Sequence, residues 1–148
     1  MKIQIENQQT KIKINRRKIR SSVRTLLSIM DCANKELSIS FVDDKTIQQL
    51  NNNYLQRDNS TNVLSFSLQE GEYGNINPNI LGDIVISAET AQRDATIGNL
   101  SLSEEIDFLI IHGLLHLLGF NHENTTKSQT TKMRMKEKEL LQKITSQL

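Results

Sequence analysis

Phe108-Leu-Ile-Ile-His-Gly-Leu-Leu-His-Leu-Leu-Gly-Phe-Asn-His122 is the stretch on which the fold and the chemistry of this chain both turn. It is almost wholly apolar, yet it holds all three histidines of the protein, His112, His116 and His122. On a helix, residues four apart stand one above the other, so His112 and His116 can offer two imidazoles to one ion. Gly119 can end that helix in a left-handed conformation. The chain can then turn back and deliver His122 as a third ligand. Two ligands on a rigid helix and one after a glycine turn commonly build a tetrahedral zinc site with an open fourth position. Histidines placed in a buried helix for packing alone would each need a polar partner of their own, which favours the metal reading.

The spacing resembles the ligand pattern of metzincin peptidases, but those enzymes carry a glutamate base directly after the first histidine, where this chain has Gly113. The metal site therefore stands without a peptidase base. Upstream, Ser101-Leu-Ser-Glu104 matches a capping box that would start the histidine helix. Ile80–Ile86 reads as a strand, and Ser87 with Glu89 begins another helix. Gln69–Asn79, with two glycines, the single proline and three asparagines, reads as a loop that can lie over a site. Asn62–Ser67 and Leu37–Val42 read as strands, separated by a helix that Asp43 or Asp44 can cap and that turns Ile47, Leu50 and Tyr54 inward. Residues 51–62 form a polar connection. Residues 2–6 alternate as a short strand, and Ile19, Val23, Leu26, Leu27 and Met30 make one stripe of a helix from about Arg16. After His122 a final helix begins at Thr126, with Met133, Leu140, Leu141, Ile144 and Leu148 on one face. Interleaved strands and helices give a layered α+β or α/β arrangement with about four strands.

The 148 residues allow one domain, 1–148, with a real core, and are too few for two. A charged fraction of 24% with six glycines and one proline fits an ordinary globular chain and not a disordered one. Cys32 is alone, so no internal disulfide forms and an oxidising compartment is not indicated. Met-Lys-Ile-Gln-Ile-Glu lacks the apolar centre of a signal peptide, and the run 108–120 is too short to span a bilayer. The expectation is a soluble, cytoplasmic protein without a membrane contact. Net charge is only +1 but unevenly spread: Lys11, Lys13, Arg16, Arg17, Lys18, Arg20 and Arg24 fall where no acid occurs between Glu6 and Asp31. Arg16, Arg20 and Arg24 share one helix face, which reads either as a solvated surface or as a track for a phosphate backbone.

Three blocks together resemble the YbeY family of bacterial endoribonucleases. They are Leu50-Asn-Asn-Asn-Tyr-Leu-Gln-Arg-Asp-Asn-Ser-Thr-Asn-Val-Leu-Ser-Phe66, Leu81-Gly-Asp-Ile-Val-Ile-Ser87 and His112-Gly-Leu-Leu-His-Leu-Leu-Gly-Phe-Asn-His122. The similarity runs from about residue 37 to residue 141, and the histidine block is its most specific part. The resemblance implies a zincin-like α+β domain with a mixed sheet of about four strands and His112 and His116 on a central helix. It implies one Zn2+ on His112, His116 and His122 and metal-dependent cleavage of single-stranded RNA. It also implies maturation of ribosomal RNA, chiefly the small-subunit 3′ end, and ribosome quality control, with the small ribosomal subunit and its proteins as partners. Two positions depart from the family pattern. Leu55 stands where an arginine usually follows the tyrosine, and Arg57, two residues on, is placed to substitute for it. Asn121 precedes the third histidine, where aspartate is commoner.

Three neutral imidazoles leave zinc its full charge, suited to binding a phosphate oxygen and to lowering a bound water's pKa toward ~7. That water or a 2′-hydroxyl would attack phosphorus, with Arg57 or a nearby lysine steadying the charge that develops. Asp83 matches a family position as a proton acceptor or as a partner of the ligands, and Glu105 as a structural acid. Two alternatives remain open. One is a metal-dependent hydrolase of a peptide or amide bond that borrows an acid such as Asp83. The other is a non-catalytic, zinc-containing ribosome-assembly factor whose site is closed by an acid such as Glu123.

Overall fold

The structure, a computed structural model, describes residues 2–67, 79–120 and 126–145. Strand β1 (Lys2–Asn7) buries the alternate residues Ile3 and Ile5. Helix α1 (Arg16–Ile29) is capped by Asn15, whose side chain accepts from the Lys18 N–H, and it buries Ile19, Val23, Leu26 and Leu27 as one stripe. Each of these side chains contributes about 1.5–3 kcal/mol when removed from water. Strand β2 (Glu36–Val42) follows, then α2 (Asp44–Leu55), β3 (Val63–Ser67), β4 (Ile80–Ser87), α3 (Ala88–Ile97), α4 (Leu102–Leu117) and α5 (Lys127–Thr145). The four strands form one mixed sheet in the order β1-β2-β4-β3, with β1, β2 and β4 parallel and β3 antiparallel at the edge. The protein is α+β, with about the number of strands the sequence implies.

Register explains how the sheet is shared between layers. Ile5, Ile39 and Ile84 lie side by side, as do Phe41 and Ile86, and they all join the main core under α1, α4 and α5. The opposite face carries Val42, Leu64 and Val85, covered by Ile47 of α2. Two expectations shift at the edges: Tyr54, expected to turn inward, is 63% exposed, and α2 runs further than the sequence suggests. Helix α2 continues through Asn51 to Leu55, into the stretch read as a polar connection, because Asn51 turns inward and its amide donates to the Asn59 carbonyl at 3.0 Å. The final helix starts as expected, since Thr126 and Gln129 cap each other reciprocally. Of the expected loop Gln69–Asn79 only Asn79 is described, and Leu148 also lies outside the described residues. No helix among the described residues is long and apolar enough to cross a membrane.

Candidate active site

The histidine helix is α4, and its start is the capping box expected: Ser101 accepts from the Glu104 N–H while the Glu104 carboxylate accepts from the Ser101 N–H. Its centre lies tight against the sheet. A Cβ placed on Gly113 would come within 3.0–3.1 Å of three side-chain carbons of Ile84, so any larger residue there requires Ile84 to give way by a few tenths of an ångström. The position that holds a glutamate base in metzincins here faces strand β4, not open space. At the other end Gly119 takes φ +98 and its N–H donates to the His116 carbonyl at 3.1 Å. The glycine termination read from the sequence is thus observed.

One turn apart, His112 and His116 bring their rings edge to face, with centroids 4.7 Å apart. Their Nε2 atoms are 3.1 Å from each other. Two imidazole nitrogens held about 2.0–2.1 Å from one tetrahedral zinc lie about 3.4 Å apart. The observed spacing differs from that by only a few tenths of an ångström, so this pair fits a shared ion. Behind His112 stands Glu137 of α5, with Oε1 at 3.2 Å from Nδ1 and a side chain only 9% exposed. A carboxylate oxygen accepts, so the His112 proton belongs on Nδ1 and its Nε2 lone pair points toward His116. Carboxylate–histidine pairs of this kind orient metal ligands and make them more basic. His122 lies outside the described residues, as do Asn121 and Glu123. Among the described residues no group of three potential ligands is assembled.

The two histidines open into a cleft of about 660 Å³ whose walls include Asn51, Leu55, Arg57 and Ser65. The C-terminal turn of α2 brings Arg57 there. Gln56 adopts a left-handed conformation (φ +55), its N–H donating to the Asn52 carbonyl and that of Arg57 to the Asn51 carbonyl. This doubly bonded reversal of the chain directs Arg57 into the cleft that Leu55 also lines. Asn51 holds both sides of the turn, through its backbone carbonyl and through its side-chain amide on Asn59.

Asp83 is not brought to the histidines. It pairs in register with Ser38 and Phe66 on the face of the sheet opposite α4, and lines a small depression with Lys2, Gln4, Glu36 and Leu37. Desolvation pushes its carboxyl above the usual range, against the hydrogen bond to Ser38. Glu105, seven residues before His112, is buried beside the core, and desolvation followed by the nearby Asp94 charge raises it too. Glu137 and Asn51 were not singled out from the sequence. For Glu137 the signal was present, because an acid four residues after Met133 and three before Leu140 sits on an otherwise apolar stripe.

The profile of the family described as Endoribonuclease YbeY matches residues 4–145. The chain belongs to the YbeY family. A relative from Syntrophus aciditrophicus (strain SB), named Endoribonuclease YbeY, is 57% identical over 140 residues, which cover 95% of this chain and 88% of the relative. Another of the same name, from Syntrophotalea carbinolica, is 45% identical over 142 residues, covering 96% and 95%. The fold is shared with the solution structure of TM1509 from Thermotoga maritima, at a TM-score of 0.68 and 21% identity over 98% of this chain and 90% of that one. Among YbeY proteins the resemblance implies an arginine at the position Leu55 occupies. In this chain Leu55 contributes an apolar wall, and Arg57 is the cation among the described residues lining the cleft.

Proposed function

We propose that this YbeY protein is a zinc-dependent endoribonuclease specific for single-stranded RNA. Its proposed role is maturation of ribosomal RNA, chiefly the 3′ end of the small-subunit RNA, and ribosome quality control in the cytoplasm, in contact with the small ribosomal subunit. The observation that carries the chemistry is the pair of Nε2 atoms 3.1 Å apart beside Arg57 in one cleft. The names of the relatives support RNA as substrate. The ribosomal role is supported by the resemblance of the three sequence blocks.

His112, His116 and His122 would hold the ion, which when bound supplies Lewis-acid polarisation of a phosphate oxygen and acidification of a water. The chain's own residues do the rest. Glu137 fixes the His112 tautomer and ring orientation, so that its Nε2 faces the cleft as a lone pair. Arg57 can donate two parallel N–H bonds to non-bridging phosphate oxygens and so balance the charge that grows on them. Leu55 excludes water from one side of the phosphate, which strengthens that interaction. A cleft of about 660 Å³ matches the volume of a nucleotide or two of an extended strand. Asp83, on the far face of the sheet, has no contact with the substrate in this scheme. An amide hydrolase is disfavoured by the crowding of Gly113 against Ile84, which would have to give way to a base there.

The test compares purified protein with and without chelator on single-stranded fragments of small-subunit ribosomal RNA, alongside His116→Ala prepared identically. Cleavage that disappears in both cases is the expected result. Cleavage that survives in the variant belongs to a contaminant and removes the proposal's support. Stoichiometric zinc binding without any cleavage would transfer the protein to the non-catalytic assembly-factor class.

A further inference from the structure

The basic run noted in the sequence is gathered on one surface. Lys13, Arg16, Arg17 and Arg24 are all exposed, and none forms an ion pair with a carboxylate among the described residues. Their neighbours are accounted for differently: Lys11 pairs with Glu89 at 3.4 Å, Lys18 faces Glu104 and Asp107, and Arg20 donates to the Ile3 carbonyl at 2.6 Å. Lys13 and Arg16 also line a shallow depression of about 630 Å³ together with Ile14 and Asn15. Arg16 and Arg17 open α1, where a positive charge opposes the helix dipole and an acid would be favoured. The array is therefore costly to the folded chain in isolation, and an anionic partner would offset that cost. The bond from Arg20 places this surface at the β1 edge of the sheet, while the cleft lies along β3 at the opposite edge. Three strand spacings of about 4.8 Å put at least about 14 Å between them.

We propose that the exposed cations of α1 and the segment before it form a second RNA-anchoring surface, which grips the phosphate backbone flanking the strand held in the cleft. It rests on the reading of the chain as an RNA-cleaving protein. Repeated phosphates are the matching ligand because the array is extended, from Lys13 to Arg24, and not focused on a single pocket. Such contacts confer affinity without sequence preference and carry a salt signature: each phosphate engaged on a single strand contributes about 0.7 to the slope of log K against log salt concentration. RNA that fills the cleft alone does not reach the surface, and longer RNA does.

The experiment measures binding of two RNAs, of about 2 and about 25 nucleotides, over a salt series with the metal-loaded full chain. The variant Lys13→Gln/Arg16→Gln/Arg17→Gln/Arg24→Gln is compared with a charge-preserving one, Arg16→Lys/Arg17→Lys/Arg24→Lys. The expected result for the glutamine variant is a slope for the long RNA smaller by about 3 and binding weakened by about tenfold or more, with the short RNA bound and cleaved as by wild type. The lysine variant should restore the long-RNA slope. An unchanged slope in the glutamine variant overturns the second surface while leaving the nuclease reading intact. Failure of wild type to bind either RNA overturns both. Loss of binding to polyglutamate with RNA binding unaltered would assign the surface to an acidic protein instead.

Discussion

Glu137→Leu separates two effects that a buried carboxylate usually confounds. The side chain sits between Met133 and Leu140 on the inner face of α5, and its Oε1 meets the His112 ring at 3.2 Å. Leucine matches the apolar stripe around it, so the metal-free protein should change stability by no more than about 1 kcal/mol, relief of the buried carboxylate offsetting the acceptor lost to the partly exposed His112 ring. Metal binding should move the other way. Without the acceptor on Nδ1, His112 is free to take the wrong tautomer and to rotate. Loss of such an outer partner typically costs 10–100-fold in metal affinity, or about 1.4–2.7 kcal/mol. Glu137→Gln keeps an acceptor oxygen but loses the charge and should fall between the two. Zinc dissociation constants come from competition with a chromogenic chelator, and stability from urea unfolding of the metal-free proteins. The reasoning fails if the leucine variant binds zinc as tightly as wild type. It also fails if the variant is destabilised by more than about 1 kcal/mol without metal, since Glu137 would then be a packing element and not an orienting one.

Gln56→Gly should raise stability by about 0.5–1 kcal/mol, read as a higher urea midpoint, because glycine adopts the left-handed turn at φ +55 without Cβ strain. Gly113→Glu, which restores the residue of the peptidase pattern, should cost about 2–4 kcal/mol and yield no peptidase activity, since its Cβ already meets Ile84 at 3.0 Å. Asp44 works against desolvation, but hydrogen bonds from Ser87, Thr90 and Arg93 outweigh it and hold its carboxyl at about 2, below the ordinary 3.8. Its contribution is complete above the unfolded value and fades as pH falls from about 4 toward 2. The stability gap between wild type and Asp44→Asn, about 1–2 kcal/mol at pH ~7 after allowing for partial exposure, should therefore close on acidification. A gap that stays constant down to pH ~2.5 would show that the charge is not what Asp44 contributes.

What could be read from the sequence was local, and what could not was the meeting of distant segments. The capping box at Ser101 and Glu104 and the glycine stop at Gly119 depend on residues within one or two turns, so spacing alone announces them. The amphipathic stripe of α1 is legible for the same reason, because burial of Ile19, Val23 and Leu26 follows from their period. The partnership of His112 with Glu137 spans 25 residues and depends on how α5 crosses α4, which no period encodes. Even so, an acid at a core position of α5 can be read as a question about its partner, and α4 holds the answer. Asp83 illustrates the converse. A strand's neighbouring residues point to opposite faces, so which side of the sheet receives the catalytic helix decides whether Asp83 can meet it. That choice is fixed by Gly113 packing on Ile84, the residue right after Asp83, and it sends the aspartate to the other side. The close approach that disfavours a glutamate base after His112 is the same contact that separates Asp83 from the histidines. Arg57 is left as the charged side chain among the described residues that the fold delivers to their cleft.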